Sequence, residues 1–194
     1  KFALHPMLKS ITVAMVVEKA NARCCIVQQR ITRWVHGQRK RMSANQDELW
    51  MGEALKLARE ASMMGEVPVG ALVVFQGQIV GRGFNTRETA KSPLGHAEIT
   101  AIERASKVLG RWRLWGATLY VTLEPCPMCA GAIVHARLPR VVFGASDPRT
   151  GACGSVFNLV QHEALNHRVD LTSGVRGSEC SRLIKEFFAQ LRRR

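Results

Sequence analysis

The chain has 194 residues, 46% hydrophobic and 22% charged, enough for one well-buried domain and short for two. No apolar run approaches the roughly 18 residues that cross a bilayer, and "ITVAMVV" (11–17) is followed by no small-residue cleavage pattern, so no membrane span or secretion signal is expected. The formal charge of +13 favours an anionic partner such as nucleic acid, although residues 1–41 carry nine Lys and Arg against one acid and the remainder only 19 against 14.

Residues 1–41 match neither helical nor strand periodicity. They read as an N-terminal extension outside the fold or as an acid-poor, Arg-bearing transit segment, with the folded domain expected over 42–194. At Met42 the pattern changes. Ser43 or Asn45 can cap a helix, Asp47 and Glu48 suit its positive end, and Leu49, Trp50, Ala54, Leu57, Ala58 and Ala61 recur at helical spacing. The segments 69–75 and 79–85 about "QGQ" predict a β-hairpin. A helix is expected over 96–109, stopped by Gly110, then a strand at 117–123, a helix within 124–137 and a strand at 140–145. An irregular stretch precedes a strand at 168–175 and a final helix from 177. Strands alternating with helices, opened by a hairpin, predict an α/β fold: a three-layer α/β/α domain on a central mixed sheet of about five strands.

The six cysteines do not form a disulfide framework. Cys24 and Cys25 are adjacent, Cys126 and Cys129 form a C-x-x-C, and Cys153 and Cys180 stand alone, which fits free or metal-bound thiols in a reducing cytoplasm. A redox dithiol would leave His96 and Glu98 of "GHAEITA" without a task. A structural zinc site needs a fourth protein ligand, and no second C-x-x-C or paired histidines supply one. A catalytic zinc needs three protein ligands and an open position, which His96, Cys126 and Cys129 provide. A helix starting at the cysteines brings them to one side, and its N-terminus favours their thiolates. His96 and Glu98 would diverge by about 200° in a regular helix, so both reach one site only at a helix opening. There Glu98 would move protons as general acid and base.

The combination H-x-E…P-C-x-x-C is the signature of zinc nucleobase deaminases. "EVPVGALVV", "GRGFN", "GHAEITAI", "ATLYVTLEPCPMCAGAIVHARLPRVVFGASDPRTGACGS" and "NHRVDLTSGV" resemble the bacterial tRNA-specific adenosine deaminases from about Glu48 to Phe188. The resemblance implies a cytidine-deaminase-like fold, one zinc per subunit, a homodimer, and conversion of adenosine to inosine at the wobble position of a tRNA anticodon stem-loop. It assigns zinc to His96, Cys126 and Cys129, catalysis to Glu98, and substrate binding to Asn85, Asp147 and Asn166. Each of those last three also has a local reading as a turn or loop cap. Trp112 and Trp115 are expected to pack or to stack bases, one of Phe187 and Phe188 to face the core, and Arg149, Arg168 and Arg192–Arg194 to be available to phosphates. A free-base or mononucleotide deaminase on the same scaffold is the alternative enzyme, and a zinc-stabilised RNA-binding module is the non-enzymatic one. Glu98 speaks against the latter, because a structural zinc site has no use for an acid beside an open position.

Overall fold

The computed structural model describes residues 44–193. The expectations for residues 1–41, for Ser43 and for Arg194 lie outside them. Helix α1 spans Ala44–Met63, strand β1 Gly70–Phe75, β2 Gln78–Phe84, α2 Ala97–Leu109, β3 Ala117–Leu123, α3 Pro127–His135, β4 Arg140–Ala145, β5 Asp170–Ser173 and α4 Gly177–Leu191. The five strands form one sheet in the order β2-β1-β3-β4-β5. β1 is antiparallel to β2 and β3, whereas β3, β4 and β5 run parallel. The hairpin turn works because Gln76 and Gly77 both take positive φ, 51° and 75°, whose twist suits the flanking strands.

Alternation along the strands builds the three layers, because successive side chains leave opposite faces. Ala71, Val73, Leu119, Val121, Val141 and Phe143 pack with α2 and α3 on one face. Leu72, Val74, Tyr120 and Val142 pack with Met51, Ala54, Leu55 and Cys180 of α1 and α4 on the other. Helix α2 lies close over β2, since a Cβ on Gly81 or Gly83 would collide with the carbonyl oxygen of Ala101 or Ala97. Small residues on both partners permit that approach.

Three local expectations are corrected. Leu49 is exposed, and Met51 and Leu55 hold the apolar face of α1 instead. Asp47 stands in the first turn of α1, as expected, and does more than serve the helix end. It is buried, accepts the Tyr120 hydroxyl at 2.8 Å and pairs with both terminal nitrogens of Arg140 at 2.9 and 2.7 Å, clamping α1 to β3 and β4. Trp112 and Trp115 do not fill the core. Leu114 between them is fully buried and takes that position, while the Arg113 guanidinium sits 4.1 Å from the Trp112 ring centre. Strand β5 is shorter than 168–175 because the Val169 N–H bonds Val160 and Gly174 turns the chain at φ 81°.

Candidate active site

Three strand ends supply one edge of the sheet. β2 is antiparallel to β1, and β1 to β3, so the C-terminal ends of β2, β3 and β4 lie together. Beyond them open Asn85, the segment 124–126 and the segment 146–150. This is where ligands bind in open α/β sheets, outside the carboxyl ends of the strands. A cleft of about 700 Å³ occupies that edge, with His96, Glu98, Cys126, Asn85 and Asp147 among its lining residues.

The donor set assembles from two helix starts. His96 is the N-cap of α2, with extended backbone at φ −86° and ψ 146°. Cys126 is the N-cap of α3 at φ −73° and ψ 173°, followed by Pro127, whose fixed φ and missing N–H suit the first helical position. Cys129 lies in the first turn. His96 Nδ1 is 3.6 Å from the Cys126 sulfur and 3.5 Å from the Cys129 sulfur. The three donor atoms lie within 4.8 Å of one another.

A tetrahedral zinc with ordinary bond lengths puts a nitrogen and a sulfur ligand about 3.6 Å apart, so the donors stand at metal-chelating distances. Their chemistry fits as well. The hydrogen bond from Cys129 is the main cause that holds the Cys126 thiol down to about 4, despite partial burial, and His96 assists. The same hydrogen bond to Cys126, with burial, pushes the Cys129 thiol far up. Thiols bind a divalent cation as thiolates, so such a cation would displace their protons.

Glu98 occupies the first turn of α2 and is buried. Because His96 is still extended while Glu98 is helical, both line the same cleft despite their spacing of two. Burial pushes the Glu98 carboxyl up to about 7.

Around this centre two buried carboxylates brace the walls. Glu66 accepts the side-chain amide of Asn85 at 3.1 Å and the backbone N–H groups of Glu88 and Thr89 at 3.2 and 2.6 Å. Burial opposes its charge, but these bonds hold its carboxyl below the ordinary value. Glu124 accepts the backbone N–H groups of Asp147, Cys153 and Ser155, each at 3.0 Å, and the Ser155 hydroxyl. The 146–155 loop is thereby tied to the end of β3. Gly151 permits this, since a Cβ there would collide with the Glu124 carboxylate.

Of the sequence-predicted site residues, His96, Cys126, Cys129, Glu98, Asn85 and Asp147 come together. Asp147 lines the cleft while its carboxylate accepts the Arg149 N–H at 2.9 Å and the Thr150 hydroxyl at 2.6 Å, so the turn-capping reading and the cleft position both hold. Asn166 is not among the lining residues; it is exposed and accepts a hydrogen bond from Arg137 at 2.6 Å. Phe187 is buried, whereas Lys185 and Phe188 of α4 and Arg192, its C-cap, line the cleft. Arg149 lines it too, and Arg168 does not. Sequence reasoning missed Glu66, Glu124 and Arg87. Glu124 carried a usable signal, an acid wedged between a buried strand and a ligand cysteine, whereas Glu66 in a turn looks like any solvated charge.

A family model of MafB19-like deaminases matches residues 45–192. The tRNA-specific adenosine deaminase of Bacillus subtilis is 52% identical over 149 residues, covering 77% of this chain and 92% of that protein. The chain belongs to the tRNA-specific adenosine deaminase family. The member from Haemophilus influenzae is 48% identical over 147 residues, covering 75% of this deaminase and 85% of its own length. A solved structure from work on A-to-I editing by tRNA:A34 deaminases superposes with a TM-score of 0.67 at 42% identity, covering 69% of this deaminase and 97% of that chain. A guanine deaminase of Nitrosomonas europaea, 23% identical with a TM-score of 0.64 over 73% and 84% of the two chains, shares the fold alone. The deaminase thus has the cytidine-deaminase-like fold expected. Among the described residues, no helix is long and apolar enough to cross a membrane.

Proposed function

We propose that this deaminase hydrolyses adenosine to inosine at the wobble position of a tRNA anticodon, in a catalytic domain comprising residues 42–194. The observation that carries the reading is the buried Glu98 beside the His96, Cys126 and Cys129 donors on the wall of an open, cation-lined cleft. Those three residues would hold zinc, which when bound supplies Lewis acidity that makes water nucleophilic at neutral pH. Glu98 takes one proton from the attacking water and delivers it to the purine ring nitrogen, then takes the proton of the newly added hydroxyl and gives it to the amine, which departs as ammonia as the carbonyl forms. Two of its features suit both directions: a location away from bulk water, and a carboxyl poised near neutrality. Asn85, with its amide nitrogen tethered, orients the base. Asp147, Arg149, Lys185, Phe188 and Arg192 line the mouth, where flanking bases and phosphates of a splayed loop would lie. Asn166 stands outside that wall, so a contact from it would serve RNA beyond the cleft. A homodimer accompanies this reading.

The test is inosine formation in a short RNA hairpin carrying an anticodon loop with adenosine at the wobble position, compared with free adenosine, cytidine and deoxycytidylate, at two salt concentrations. The hairpin is expected to be by far the best substrate, and its kcat/KM to fall as salt rises because phosphate contacts release counterions. Comparable rates on a free nucleoside, or no salt dependence on the hairpin, would move the assignment to a small-molecule deaminase. Sedimentation of the purified protein as a monomer at assay concentration would remove the homodimer.

A further inference from the structure

Asn85 reaches the cleft by an unusual route. It follows β2, its own N–H donates to the Val69 carbonyl at 3.0 Å, and it is only 5% exposed although it lines the cavity. A terminal amide can rotate by half a turn about its last bond at little steric cost, exchanging donor and acceptor. Nothing in the local sequence prevents that exchange. What prevents it is Glu66, nineteen positions upstream, whose side chain is fully buried. An ionised carboxylate only accepts, so the amide nitrogen must face Glu66, and the amide oxygen with one remaining N–H is left for other partners. The same carboxylate holds the N–H groups of Glu88 and Thr89 and the Thr89 hydroxyl, the last at 2.8 Å, which fixes the turn carrying Arg87 on the cleft wall. A buried carboxylate that accepts four hydrogen bonds is well satisfied. It has no ion-pair partner in that set.

We propose that Glu66 is the positioning residue of the substrate pocket: it sets the rotamer and polarity of the Asn85 amide, and so the hydrogen-bond pattern that the incoming base meets. This rests on the proposed function, since it presumes that the base is held by Asn85. The hydrogen bonds of Glu66 go to Asn85, Glu88 and Thr89, and it is not among the residues that line the cleft with His96, Glu98 and Cys126. Its effect passes through Asn85 to the bound base, and chemistry at the centre is left intact.

Glu66→Gln keeps the shape but offers a donor where only acceptors stood, so the Asn85 amide either loses its tether or turns over to meet the new N–H. The experiment measures kcat/KM for inosine formation in the anticodon hairpin for wild type, Glu66→Gln, Asn85→Ala and the double variant, with zinc content and melting temperature recorded for each. Glu66→Gln is expected to lower kcat/KM by about tenfold to a hundredfold, the scale of a misdirected buried hydrogen bond, with zinc retained. In the Asn85→Ala background the same change should cost less than about threefold, because the residue through which it acts is gone. Thr89→Val, which removes one hydrogen bond to Glu66 Oε1 but leaves Oε2 as the acceptor for Asn85, should also stay within about threefold. An equal penalty for Glu66→Gln in both backgrounds, no penalty in either, or a Thr89→Val loss as large as that of Glu66→Gln would overturn the inference. Should the Gln variant not fold, Glu66→Asp withdraws the same carboxylate by one methylene and is read in the same cycle. A wild-type protein that makes no inosine in the hairpin takes down both readings; an active wild type with an additive cycle takes down only this one.

Discussion

Replacing Glu124 by Gln asks how firmly the loop over the cleft is held. In the wild type, Oε1 accepts the Cys153 and Ser155 N–H groups and Oε2 accepts the Asp147 N–H and the Ser155 hydroxyl. The amide retains one oxygen, which can keep the first two bonds in weaker, uncharged form. Its nitrogen then faces the Asp147 N–H at what was a 3.0 Å hydrogen bond, donor against donor. The Ser155 hydroxyl can rotate to accept, but the backbone N–H cannot. A buried donor left without an acceptor costs about 1–3 kcal/mol, and the loss of charge on two further bonds about 1 kcal/mol. The variant should therefore lose about 2–4 kcal/mol, which for a domain of this size lowers the melting temperature by roughly 5–15 °C. Thermal unfolding followed by circular dichroism reads the stability. Assayed well below the transition, the kcat/KM for the hairpin should fall further than that for free adenosine, because Asp147 and Arg149 ride on the released loop. A melting temperature within about one degree of wild type would refute the account, since a fully engaged, 2% exposed carboxylate cannot be neutralised at no cost.

The double variant Cys126→Ala/Cys129→Ala should lose zinc in elemental analysis, and retained stoichiometric metal would refute the ligand set. Glu98→Gln should keep zinc and fold while turnover drops about a thousandfold or more, because the same carboxyl serves both proton transfers; near-normal kcat would take Glu98 out of the mechanism. Acid should destabilise the protein. Glu66 and Glu124 titrate below the ordinary glutamate value of 4.5 when folded, so the unfolded chain binds more protons as the pH drops, and their contribution, present above about 4.5, is lost as the pH falls through the depressed values. The melting temperature should decline steadily from pH 4.5 downward, and a constant or rising value there would contradict the hydrogen-bond assignments.

The candidate metal site was legible in the chain because its geometry is local and its residue types are scarce. Cysteines three apart at a helix start have little choice of direction, and a histidine two residues before a glutamate can share a site with it only where the chain passes from extended to helical. The short apolar runs 69–75 and 117–123 likewise announced strands, and Gly77 and Gly110 marked a turn and a helix end through φ values that L side chains seldom adopt. Other features depended on contacts across long stretches of chain. Asp47 meets Arg140 93 positions away, which makes the helix-end charge a buried clamp as well. Leu114, rather than its tryptophan neighbours, entered the core because the chain leaving α2 turns that one side chain inward. Asn85 and Asn166 looked alike as polar loop residues, yet only Asn85 faces the cleft, where Glu66 holds it. A side chain's reach and its own backbone direction can be inferred from its neighbours in sequence, but burial and hydrogen-bond partnership are properties of what the rest of the fold brings to it, and these decided which acids became walls of the site and which stayed in water.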